Sequence, residues 1–311
     1  MSKRTKAALM LIFLTLVWGG SFPMVRWSVA RIDAIAFTGL EFFFGALALA
    51  PLCFLKPAPL PCSRRREPPG PRFWLKAGAA AGFLLACGSI LQYQGMVWTT
   101  SGKSAFISSL YVILVPLMAI VMGRVPGRAV WAGLAAGVAG LFLLSGVADS
   151  VGDFNRGDAL TLAGDACWAS HLILVGRCAN RVEPIRFVTV QAALAGSSCL
   201  AIAAARGAMP GWSAFLETLP FTLFGIVSVS LAYLIQTYCQ REMRASETAL
   251  VLQLKAVFAA LFGMAFLGET MTPAMWGGAA LVICGSLLAQ TRADRLGRPL
   301  TAQVPENVES V

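Results

Sequence analysis

Apolar residues run along this chain in long unbroken blocks, with polar residues gathered between them. Ten blocks lie near 7–25, 34–55, 73–97, 104–123, 128–147, 158–177, 186–205, 216–238, 248–267 and 272–291. At 1.5 Å per residue, each suffices to cross about 30 Å of hydrocarbon. The pattern predicts an all-α integral membrane protein of ten transmembrane helices with short loops. The pattern also repeats. "GRVPGRAVWAGLAAGVAGLFLL" (123–144) precedes "GETMTPAMWGGAALVICGSLLA" (268–289) by 145 residues, matching Gly123 to Gly268, Trp131 to Trp276, Gly133 to Gly278 and Gly140 to Gly285. "WGGSFPMV" (18–25) has a looser counterpart in "WASHLILV" (168–175). Five spans per repeat is an odd number, so the two repeats must cross the membrane in opposite senses. The expected organisation is a first five-helix repeat over 1–147, an inverted second repeat over 148–291, and a polar, disordered cytoplasmic tail over 292–311.

Charge fixes the orientation. Only 13% of residues are charged and 57% are hydrophobic, and the net charge is +10. The mean hydropathy is +0.71. Nucleic-acid binders gather their basic residues on one folded face. Here Lys and Arg fall in the short segments between apolar blocks. With the N-terminus taken as cytoplasmic, 19 of them are cytoplasmic, 5 lie opposite (Arg26, Arg31, Lys103, Arg156, Arg206), and Lys255 is left inside a span. That asymmetry places both termini in the cytoplasm, and "CSRRREPPGPR" (62–72) reads as a basic topology anchor. The N-terminal block imitates a signal peptide but lacks a small-residue cleavage site, so it is expected to be a retained helix. Cys53, Cys87, Cys167, Cys199, Cys239 and Cys284 lie within or beside apolar blocks, without CxxC spacing or a paired histidine. They read as small hydrophobes, not disulfides or metal ligands. No cofactor and no metal are expected.

Candidate chemistry lies in the polar groups inside the spans: Glu41, Gln92, Gln94, Asp165, His171, Gln191, Gln236, Gln253 and Lys255. Ionisable residues at membrane depth face a cavity or one another. Glu41 lies about 12 Å and Lys255 about 18 Å from the same face by helical rise, a difference the long lysine stem can span. A Glu41–Lys255 ion pair acting as a structural or gating lock is therefore expected; the alternative gives each its own water-filled cavity. Asp165 and His171, six residues apart, fall on different faces of the sixth span, and Asp165 is the better candidate for proton coupling or a substrate-amine contact. Trp18, Gln92, Tyr111, Trp168, Tyr233 and Gln236 suit a central cavity that stacks on organic solutes. Trp98 and Tyr93 are expected in an interfacial aromatic belt. Gly78-x-x-x-Gly82 and Gly133-x-x-x-Gly137 read as helix-packing motifs.

"LVWGGSFPMV", "SGKSAFISSLYVILVPL", "GDALTLAGDACWASHLILVGR" and "VFAALFGMAFLGE" followed by "WGGAALVICG" resemble EamA-type transporters of the drug/metabolite transporter superfamily, over essentially all of Leu9 to Gln290. The resemblance implies a bacterial inner-membrane protein that exports amino acids or other small metabolites. Three positions depart from the family pattern: Glu41-Phe42 stands where Arg-Phe is usual, Lys255-Ala256 where Glu-Pro is usual, and Arg124 where Glu often follows the glycine. The first two are reciprocal, which favours the Glu41–Lys255 pair, and loss of the proline implies a straighter ninth helix. The expected function is a secondary carrier for small organic metabolites, amino acids first, working by alternating access. It would be active as a monomer or homodimer, with a small-molecule substrate and the bilayer as partners. A flippase for an amphipathic or lipid-linked solute and a non-transporting receptor or scaffold are the alternatives. An enzyme is not expected, because the chain has no HExxH, no phosphate loop and only one histidine.

Overall fold

The computed structural model describes residues 3–54, 70–123, 125–144, 154–267 and 270–295. Most of the basic loop, Arg124, the Gly268–Glu269 pair and residues 296–311 lie outside them. Among the described residues all regular structure is helical. Eight helical stretches are long and apolar enough to cross a membrane, and two shorter apolar helices accompany them.

The helices are α1 (Lys3–Val29), α2 (Ala34–Leu49), α3 (Pro71–Met96), α4 (Ser101–Ile107), α5 (Tyr111–Val121), α6 (Arg128–Leu144), α7 (Arg156–Cys178), α8 (Pro184–Ala205), α9 (Trp212–Gly225), α10 (Ala232–Cys239), α11 (Ala245–Leu252), α12 (Leu254–Leu267) and α13 (Pro273–Arg295). A single 3-10 turn, Ala50–Phe54, extends α2, and a π turn, Ile226–Leu231, joins α9 to α10. Helix α13 carries four residues of the expected polar tail, through Arg295.

Two of the expected spans are interrupted. The fourth breaks at Ser108–Leu110 and the ninth at Gln253. At the first break Ser109 and Leu110 donate to carbonyls three residues back, and both serine hydroxyls bond the Ala105 carbonyl, drawing the backbone out of the α pattern. At the second, the Ala256 amide turns back to the Gln253 carbonyl three residues away. A tightened turn thus interrupts the ninth span in the absence of proline. Ser108 and Gln253 are 145 residues apart, the interval of the sequence repeat.

The repeat is also visible in the packing. α6 packs chiefly on α13, and α2 on α8. A Cβ on Gly140 would lie 2.6 Å from the Gly278 carbonyl oxygen, and one on Gly285 would lie 2.6 Å from that of Gly133. The helices therefore run antiparallel, and the 145-residue shift maps one contact onto the other. Gly78 and Gly82 likewise let α3 approach Val190 and Gln191 of α8. Helix starts repeat too. Asp33 accepts from the amides of Ile35 and Ala36 at the head of α2, and Glu183, 150 residues on, does the same for Ile185 and Arg186 at the head of α8. Removing either cap (Asp33→Ala or Glu183→Ala) is expected to lower stability by about 1 kcal/mol, read as a small fall in the melting temperature of the purified protein.

Candidate functional site

A cavity of about 70 Å³ lies between the repeats, and Trp18, Glu41, Gln92, Tyr111, Trp168, His171, Tyr233, Gln236 and Lys255 all line it. Asp165 is not among its lining residues and is fully buried. Tyr93, expected in an interfacial belt, lines the cavity as well. Trp98 is half exposed beneath the Arg156 guanidinium, 3.1 Å from its ring centroid.

The two tryptophans that the repeat relates are used alike. Trp18 on α1 donates its indole N–H to the Ser228 carbonyl in the π turn at 2.9 Å. Trp168 on α7 donates to Gln92 Oε1 on α3 at 3.0 Å. Each reaches from the first span of its repeat into the third span of the other. His171 bonds Gln191 at 3.0 Å through Nε2 and meets the rings of Trp168 and Tyr233 edge-on.

Glu41 and Lys255 share the cavity, but the expected ion pair between them is not formed. Glu41 accepts from the Tyr93 hydroxyl at 2.7 Å and from the Ser228 hydroxyl at 2.6 Å. Ser228 stands in the π turn, a widened helical turn that recurs at functional sites, and Gly225 just before it leaves room for the glutamate stem. Lys255 donates to the Ser108 carbonyl at 2.9 Å and lies 4.8 Å from the ring centroid of Tyr111 and 5.7 Å from that of Phe22. The depth argument had placed both charges at compatible heights. α2, however, packs mainly on α8 while α12 packs on α1, so the two side chains enter the cavity from different walls.

The mid-span ammonium is accounted for by the broken helix. Ser108 is the C-terminal cap of α4; the helix's last carbonyls take turn amides and serine hydroxyls as partners at the break, and the carbonyl of Ser108 itself accepts from Lys255, which occupies that negative end. Tyr111 opens α5, and the Asp165 carboxylate points to its amide without a well-formed hydrogen bond. The break therefore has the Lys255 ammonium at the C-terminal end of one half-helix, where the helix dipole favours a cation, and the Asp165 carboxyl group facing the N-terminal end of the next. Lys255 and Asp165 also act on each other electrostatically.

Ser21, Ser89, Ser228 and Met96 also line the cavity and were not singled out from sequence. Serine gives no hydropathy signal at membrane depth. The signal that was present is the repeat: the position 150 residues after Glu41 is Gln191, similar in shape without the charge. Glu41 on one repeat and Lys255 on the other give a near-symmetric cavity two opposite poles.

Comparison with known proteins matches both halves of the chain. The model of the EamA-like transporter family matches residues 5–146 and again residues 155–291. The chain belongs to the EamA-like transporter family. It is thus a multi-pass membrane transporter, not an enzyme. An uncharacterized transporter of Archaeoglobus fulgidus is 27% identical over 93% of this chain and 87% of its own length. The uncharacterized inner membrane transporter YedA of Escherichia coli K12 is 25% identical over 96% of each chain. A solved crystal structure superimposes with a TM-score of 0.72 over 95% of this chain and 100% of its own, at 18% identity, a likeness of fold.

Proposed function

We propose that this transporter is a secondary carrier exporting small organic metabolites, α-amino acids first, by alternating access between two inverted five-helix repeats (1–147 and 148–291). The chain would cross the bacterial inner membrane ten times with both termini in the cytoplasm. The charge asymmetry of its loops supports that orientation, and the inner membrane is where YedA resides by its description.

The observation that carries the substrate class is the pair of unshared poles. Glu41 and Lys255 line one aromatic cavity, and each is held by its own neighbours instead of by the other. A zwitterion brings an ammonium for Glu41 and a carboxylate for Lys255, compensating both charges within the cavity. Trp18, Trp168 and Tyr233 offer faces and edges to the remainder of the solute.

The test is counterflow in proteoliposomes preloaded with unlabelled amino acids and given labelled ones outside, scanned across the twenty. Transient accumulation of one class is expected. Glu41→Gln, whose one oxygen can accept from one of the two hydroxyls while its NH2 donates to the other, is expected to lower the initial rate at least about tenfold, as losing one member of a buried charge pairing does. Accumulation of no amino acid by folded protein, or an unchanged rate in Glu41→Gln, would reject the zwitterion reading.

A further inference from the structure

Two short ion pairs outside the cavity join the repeats at opposite ends of the bundle. At one end Lys103 Nζ lies 2.7 Å from Asp158 Oδ2, with the carboxylate fully buried and the lysine side chain 19% exposed. At the other, Arg4 Nη2 lies 2.8 Å from Glu247 Oε2, with side-chain exposures of 24% and 7%. By contrast, Arg31–Glu217 at 3.9 Å and Arg206–Asp33 at 3.6 Å are longer and more exposed, the kind of pair that contributes little.

The two short pairs are built alike. Asp158 accepts the Asn155 amide in a capping box at the head of α7, and also the Thr99 hydroxyl at 2.7 Å. Glu247 accepts the Arg244 amide at the head of α11. Each pair links the first helix of one repeat to the broken span of the other: α7 to α4, and α1 to α11. The sign is exchanged, since the broken span carries the cation in the first repeat and the acid in the second.

α4 and α11 are short, of seven and eight residues, and each ends at the break beside the cavity. Ser108 at the end of α4 holds Lys255, and Leu252 at the end of α11 lines the cavity wall. Each half-helix is therefore hinged at the cavity and tied near its outer end to the opposite repeat.

We infer that α4 and α11 are the two gates of the transport path, latched by Lys103–Asp158 and Arg4–Glu247, and that the latches open one at a time. The inference rests on the carrier reading above. Both latches are closed in this structure. Releasing one favours the conformation open at that end, in which the other end must stay shut. A latch of this kind biases a two-state equilibrium only by the difference in its strength between the states.

Hydrogen–deuterium exchange of the full chain in lipid nanodiscs tests this without a substrate. Lys103→Met is expected to speed exchange across 101–107 at least about tenfold while slowing it across 245–252, and Arg4→Met to do the reverse. Lys103→Arg should leave both segments unchanged. Asp158→Asn, whose one oxygen can accept the Asn155 amide while its NH2 donates to the Thr99 hydroxyl, reads the first latch from its other side should Lys103→Met fold poorly. Loosening of only the local half-helix marks a structural brace and overturns the inference; so does joint loosening of both, or no change in either. Because exchange is read without transport, reciprocal protection together with absent counterflow would reject the substrate reading and leave the gates standing.

Discussion

Lys255→Met is expected to destabilise the protein by about 3 kcal/mol, the scale on which breaking a buried charge pairing costs, and adding Asp165→Asn should restore most of the loss. Lys255 holds the carbonyl end of α4 while Asp165 faces the amide end of α5. Removing the ammonium frees the Ser108 carbonyl and leaves a fully buried carboxylate uncompensated. Asparagine in place of Asp165 removes that charge while keeping the size and shape of the side chain. The double-mutant cycle, measured by unfolding in detergent, should therefore give a coupling of at least about 1 kcal/mol. The parallel cycle of Lys255→Met with Glu41→Gln should be close to additive, because Glu41 is satisfied by Tyr93 and Ser228. Strong coupling to Glu41 with none to Asp165 would reverse this account and reinstate the pair expected from sequence.

The second large effect lies in the joint between α6 and α13. Gly140→Leu and Gly278→Leu should each cost about 3 kcal/mol or more, because the added side chain would meet backbone and not a yielding side-chain end. At Gly140 a Cβ falls 2.6 Å from the Gly278 carbonyl oxygen and 2.7 Å from the Val282 amide; at Gly278 it falls 2.5 Å from the Leu144 amide. In a bilayer, close approach through small residues is what holds helices together, since lipid is as apolar as leucine. Gly277→Leu serves as the control, with nothing within 4 Å of its Cβ position. Size-exclusion chromatography of the expressed variants reads the outcome: a monodisperse peak for Gly277→Leu and little or none for the other two. Equal behaviour of Gly277 and Gly278 would refute the interface.

Much of this was legible in the chain. The apolar block at 186–205 became α8, which starts two residues earlier at Pro184, because unpaired backbone groups cannot be left in hydrocarbon and helices satisfy them locally. The 145-residue repeat anticipated the glycine joint. Extended by fifteen residues toward the N-terminus, it would also have aligned Ser108 with Gln253 and marked the two breaks, a signal contained in "ISSLY" and "LQLK". Tyr93 was misjudged because a tyrosine near a span end has the same hydropathy whether it faces lipid headgroups or a cavity.

By itself the sequence determined the family, the helical blocks, the repeat and the polar groups that lie at membrane depth, among them Glu41 and Lys255. Each of these follows from composition along one dimension, where hydropathy and helical rise are sufficient. The tertiary structure alone decided which partners those groups take: Tyr93 and Ser228 for Glu41, and the broken end of α4 for Lys255. Partnership depends on each helix's rotation about its own axis and on its neighbours. Those are set by glycine contacts and helix breaks between segments more than a hundred residues apart, and height along a span carries no information about them.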